Sequence, residues 1–275
     1  MKYPTFLELI DSFYKFKKYK VANSTYNTYN QRIAPIKEYF GKLNLKPSQI
    51  NQLEMADYSV YLKRNGIGQN TMIKHFQFIK EALGYYEKLY PEKRFEINKI
   101  TNPKYKKTNP RPLNRADYQA LIDVKLPEQL ENIRDYFVFM TETGFHFSDG
   151  LQVKKIHLSQ HGQITLIQKE RQKTEIEAIL PASQIAIELL KKYNYNFGIK
   201  SNGDYNKALK IVAALANIRP DLRASDARDT FADYWGNDMA KGLDDVAIMM
   251  GLNSTRELPK YYRVRQRRIL KMASE

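Results

Sequence analysis

The segment TETGFHFSDG, residues 141–150, joins an apolar run (YFVFM, 136–140) to an amphipathic one (LQVKKIHL, 151–158). Between them stand a Gly, one of only four histidines, a Ser and an Asp. Gly and Asp so placed punctuate secondary structure, and the stretch reads as a polar, hydrogen-bonded turn. A plain turn does not require His146 three residues before Asp149.

Downstream, GQITLIQKERQKTEIEAILP (162–181) holds two β-rich runs, ITLIQ and EIEAILP, on either side of a charged turn, which predicts a small antiparallel sheet. Helices are expected at about 182–193, 204–216, 225–236 and 243–250, with a last one near 262–272. Upstream, Asn114 is a cap for the helix in LNRADYQALIDV, and another helix covers about 129–141.

The first part of the chain reads as four helices with short turns. FLELIDSFYKFKKY places Phe6, Leu9, Ile10, Phe13 and Phe16 on one face. Asn23 or Ser24 can cap a second helix with Tyr29, Ile33, Ile36, Tyr39 and Phe40, which Pro35 should bend or interrupt. A third spans about 52–64 and stops at Asn65-Gly66. A fourth starts near Asn70 and carries Met72, Phe76, Ile79, Leu83 and Tyr86 towards Pro91. The fold class is mainly α with a small antiparallel β-sheet. A helical domain is expected over 1–92, a basic linker over 93–112 and a larger domain over 113–275. The linker, with three Pro and a run of Lys, is a strap that can follow a phosphate backbone, or a plain solvated tether.

Charge narrows the partner. The 275 residues hold 45 Lys+Arg against 30 Asp+Glu, a net +15. Residues 1–100 contribute +8, residues 101–112 +4 and residues 113–275 only +3. A polyanion, nucleic acid above all, is the natural partner; a basic solvated surface is the bland alternative. No apolar run approaches the roughly 18 residues of a membrane span. The start of the chain lacks a signal-peptide pattern, and there is no Cys. A cytoplasmic, nucleoid-associated protein is expected.

Four segments then line up in order: TGFHFSDG, QKT with Pro181 eight residues after Lys173, SDARDTFADY, and MMGLNSTRELPKYYRV. This order resembles the tyrosine recombinases, the phage integrase family, over essentially the whole chain. The resemblance implies an N-terminal helical core-binding (SAM-like) domain followed by a catalytic-type domain. It implies DNA integration or recombination on behalf of a mobile element, by attack of a Tyr hydroxyl on a phosphodiester. It also implies cationic stabilisation of the transition state, no metal and no cofactor.

By that resemblance Tyr261 is the nucleophile, with Tyr262 as its neighbour. Arg228 is a phosphate-forking guanidinium, and Lys173 is the general acid at a β-turn. The bland readings are a packed Tyr, an Arg paired with Asp226 or Asp229, and an exposed hairpin Lys. Three positions depart from the pattern. His146 stands where an Arg is expected, Ser225 where a His is, and Leu252 where a His or Trp is. Asp149 is placed to orient the His146 ring, which could charge beside a phosphate.

These departures imply a DNA-binding protein that clamps duplex DNA with strand cleavage by Tyr261 impaired or lost. The alternative is an active divergent recombinase, working as a tetramer on DNA. Partner recombinases are open in either case. Lys104, Lys106, Lys107 and Arg111 are the expected backbone contacts in the strap. His75 is structural or DNA-facing, His157 and His161 lack ligand spacing, and the basic tail RVRQRRILK touches DNA or a neighbouring subunit, or is simply solvated.

Overall fold

The computed structural model describes residues 3–93 and 97–274. Positions 94–96 of the expected linker lie outside the described residues. The chain divides into two compact units, Met1–Lys107 and Thr108–Glu275.

The first unit is helical: α1 (Phe6–Lys17), α2 (Asn23–Phe40), α3 (Gln52–Arg64) and α4 (Gln69–Leu89). Thr5 and Glu8 form a reciprocal capping box on α1, and Asn51 caps α3 through its side-chain oxygen. Of the expected bend or interruption at Pro35, the interruption does not occur: α2 runs on through it. The Pro removes one ladder bond, but Ile33, Ile36 and Phe40 on the same face are buried in the unit's core and hold the helix together. Neither Asn23 nor Ser24 caps α2; the cap position is Ala22, with no side-chain bond. His75 is buried and shares a 2.9 Å hydrogen bond with Tyr58, so it does not face DNA. Burial lowers its pKa to about 4.

The expected strap is extended, but it is no tether. Residues after Lys99 lie along the first unit. Ile100 is in its core, and the Thr101 N–H donates to Gln52 Oε1 at 2.7 Å. Gln69 donates to the Lys104 carbonyl at 2.6 Å, and Asn70 both donates to and accepts from the Lys106 backbone at 2.8 Å. Lys104, Lys106 and Lys107 are left exposed.

The second unit holds α5 (Arg115–Asp123), α6 (Glu128–Thr143) and the one-turn α7 (Phe147–Gly150), then β1 (Leu158–His161), β2 (Ile164–Glu170) and β3 (Glu177–Pro181). After the sheet come α8 (Gln184–Lys192), α9 (Asn202–Leu215), α10 (Ala224–Asp233), α11 (Leu243–Met249) and α12 (Gln266–Ser274). The sheet is antiparallel in the order β1-β2-β3. It has one strand more than the sequence predicts, because LSQH carries no alternation of apolar and polar residues. The last turn of α10 widens into a π turn over Tyr234–Asp238. α6, nearly all apolar over Tyr136–Met140, is the central helix, packed against α8, α9 and α10. Among the described residues no helix is long and apolar enough to cross a membrane.

Candidate active site

The opening segment 141–150 is a helix end and a helix start rather than a simple turn. Gly144 ends α6 with φ +65°, and a Cβ there would come within 2.5 Å of the Phe231 ring. Only Gly supplies both the left-handed backbone and the close approach of α10. His146 then enters α7 in extended conformation, with no side-chain capping bond.

Asp149 is buried at 3% exposure, and its carboxylate faces the hairpin, not the imidazole. Oδ1 accepts from the Gln172 backbone N–H at 3.1 Å, and Oδ2 lies 3.5 Å from Arg171 Nε. The expected orientation of the His146 ring by Asp149 is therefore corrected. The carboxylate fixes the β2–β3 tip instead. That tip is closed by Arg171 N–H to Ile176 O and Glu175 N–H to Arg171 O, both 2.9 Å, with Glu175 at φ +55°. Lys173 stands on it, exposed.

Arg228 lies on the inner face of α10, 3% exposed. Its Nη1 donates to the Gly144 carbonyl and its Nη2 to the Met250 carbonyl, the latter at 2.7 Å. Its Nε is buried without a partner. The alternative pairing with Asp226 or Asp229 is not made. Asp226 bonds Arg219 at 2.9 Å, and Asp229 accepts from the Arg111 backbone N–H at 2.8 Å. The Arg228 guanidinium instead lies 4.9 Å from the centre of the Tyr261 ring, a cation–π contact. Burial pulls the Arg228 pKa down, and Tyr261 opposes that.

Tyr261 follows the 3₁₀ turn Thr255–Lys260, held by a 2.8 Å bond from its N–H to the Leu258 carbonyl, and is half-buried. Tyr262 is core: its ring fills the space that a Cβ on Gly236 would need. Of the three departing positions, Leu252 is buried in the same core at 6% exposure, and Ser225 is exposed on the first turn of α10. His146 keeps an open edge, but pocket atoms crowd its inner side. That crowding first, and the Arg228 charge second, lower its pKa; Asp149 acts against them. The crowding and the Arg228 charge both act against the charged form of the imidazole.

The site joins Tyr261, Arg228, His146 and Asp149, with Lys173 near enough for its charge to act on His146. The sequence reading missed Arg171, which reaches into this pocket from the hairpin and bonds the Gly251 carbonyl at 2.8 Å. Its signal was slight, since an Arg in a charged turn ordinarily points to solvent.

Two expected cation sources are committed elsewhere. Arg111 pairs with Asp221 at 2.6 Å, within the second unit. In the tail, Arg265 bonds Asp233 at 3.1 Å, and Arg267 bonds Asp233 and, at 2.5 Å, Asp238. Arg268 donates to the Gly236 and Lys241 carbonyls. These arginines pin the tail to the π turn.

The family model "Phage integrase SAM-like domain" matches residues 5–100. No curated protein matches the chain. Among solved structures, a lambda integrase dimer bound to a COC′ core site is similar over 96% of this chain and 79% of its own, with TM-score 0.75 and 14% identity. The XerH site-specific recombinase on difH substrate, pre-cleavage, matches over 100% and 99%, with TM-score 0.72 and 18% identity. The Tn1549 transposon integrase with circular intermediate DNA matches over 98% and 99%, with TM-score 0.71 and 13% identity. The chain thus carries a phage integrase SAM-like domain at residues 5–100 and has, along its length, the fold of the tyrosine recombinases.

Proposed function

We propose that the chain binds duplex DNA and cuts and rejoins it at specific sites on behalf of a mobile element. In this reading the Tyr261 oxygen attacks a phosphodiester, the bond from phosphorus to the 5′-oxygen breaks, and a 3′-phosphotyrosyl link forms. One proton leaves the phenol, and Lys173 at the hairpin tip supplies one to the 5′-oxygen. Arg228 stabilises the charge that develops on the phosphate oxygens.

The observation that carries this reading is the contact of Arg228 with Tyr261. A guanidinium removed from water, without a carboxylate of its own and with one N–H unspent, is costly to keep. It gains a purpose if an anion enters beside Tyr261. The lambda integrase dimer and tetramer were solved on DNA, and an assembly of several copies on two DNA sites is the matching proposal for this chain.

A second reading, DNA binding without cleavage, rests on Leu252, whose side chain is buried among apolar groups and can neither donate nor accept. One experiment separates the two. Duplexes recovered by selection from genomic DNA, nicked beside the bound site, are incubated with the protein and run on a denaturing gel. The first reading expects a covalent protein–DNA band that Tyr261→Phe abolishes. Specific binding with no band from the wild-type chain establishes the second.

A further inference from the structure

Arg171 and Arg228 come from different elements, yet they are anchored on adjacent carbonyls of one turn. Arg228 takes Met250 O and Arg171 takes Gly251 O. The Arg171 stem lies so close to Gly251, φ +57°, that a Cβ there would stand 2.7 Å from its Cδ. This Gly admits the side chain into the pocket. The Arg171 side chain is 11% exposed. Its Nε, like that of Arg228, is buried without a hydrogen-bond partner; it lies 3.5 Å from Asp149 Oδ2, an ion pair and not a hydrogen bond.

The charges do not balance. Arg171 and Arg228 act on each other, and both act on His146; Lys173 adds a third positive charge and Asp149 a single negative one. Asp149 is also shared with the Gln172 backbone. Two guanidiniums, each with an unspent buried donor, and a net positive surrounding are what an entering oxyanion would complete.

We propose that Arg171 is a phosphate-contacting residue, forming with Arg228 a two-guanidinium site for one tetrahedral oxyanion. Resting on the function proposed above, that oxyanion is the phosphodiester attacked by Tyr261. His146 then borders the site, and the hairpin supplies the second fork.

The test has two arms. In the first, the thermal midpoint of the full chain is followed with tungstate, a tetrahedral oxyanion, at ionic strength held constant with chloride. The wild type is stabilised, because only the folded state offers the site. Arg171→Ala loses most of the shift, and Arg171→Lys, which keeps the charge but not the fork, loses a large part. A wild type that tungstate leaves unmoved, or a folded Arg171 variant that keeps the full shift, overturns the proposal. Should Arg171→Ala fail to fold, Arg171→Lys decides. In the second arm, adduct formation on the selected nicked DNA falls about 10²–10³-fold in the variant, as when an oxyanion donor is lost. DNA affinity stays within about threefold, because many other phosphate contacts remain. An unchanged adduct rate overturns the phosphodiester assignment. If the wild type forms no adduct, it is the cleavage reading that fails, and the tungstate arm still judges the site.

Discussion

The Arg228 guanidinium sits 4.9 Å from the Tyr261 ring centre while its two Nη atoms hold the carbonyls of Gly144 and Met250. One side chain thus ties the end of α6 to the end of α11 and reaches the Tyr that follows. Arg228→Lys keeps a charge but cannot span both carbonyls. We expect a loss on the order of 1–3 kcal/mol in stability from an orphaned buried carbonyl, read as a lower thermal midpoint. Any adduct formation should fall about 10²–10³-fold.

Tyr261→Phe should leave the fold and the DNA affinity in place, since the ring and its contact with Arg228 persist. It should remove the covalent band completely. A Phe variant that still forms the band would pass the nucleophile's role to another residue.

Gly144→Ala forces a Cβ into the Phe231 ring at a left-handed φ. The backbone strain alone costs about 1–3 kcal/mol, and the clash adds to it. For a protein of this size the thermal midpoint should drop by about 2–4 °C per kcal/mol. A midpoint unchanged within error would mean that α6 and α10 can slide apart.

Burial pushes the Asp229 pKa up to about 7, and the Arg111 N–H acts against it. An acid raised in this way binds its proton more tightly folded than unfolded, so folding stability falls as pH rises from about 4 to about 7 and then levels. Asp229→Asn, which can still accept from Arg111, should flatten that decline. Thermal midpoints from pH 4.5 to 7.5 in both proteins check the sign. A steeper fall in the variant would contradict it.

If the strap meets a phosphate backbone, DNA affinity should fall steeply with salt, as counterion release requires. Replacing Lys104, Lys106 and Lys107 with Ala should reduce the log–log slope by up to about 3, near 0.9 for each phosphate no longer neutralised. Arg111→Ala should instead act on stability, through the loss of its pair with Asp221. A salt slope unchanged by the triple substitution would remove the strap from the interface.

Helices with a capping residue or a stop signal were legible, as in α5 after Asn114 and α3 ending at Asn65. So was the fold, because the TG, Lys-Thr, Asp-Ala-Arg and Tyr segments carry the resemblance to the tyrosine recombinases. What escaped depends on how distant segments meet. Arg171 reads as solvent-exposed until Gly251 is seen to admit it. Asp149 sits three residues from His146, yet bonds a residue 23 positions away. Gln69 and Asn70 look like ordinary starting residues of α4, but their amides hold the strap about 35 positions downstream. β1 is held by its pairing with β2 and not by a hydrophobic pattern of its own.

The two bonds between the Asn70 amide and the Lys106 backbone copy the exchange made by neighbouring strands in a sheet. One side chain therefore stands in for a missing strand, and it does so in the free protein. The spacing of Lys104, Lys106 and Lys107 along that edge is ruled in advance, like the teeth of a comb. A polyanion arriving there has less chain entropy to overcome than one gripping a loose basic tail.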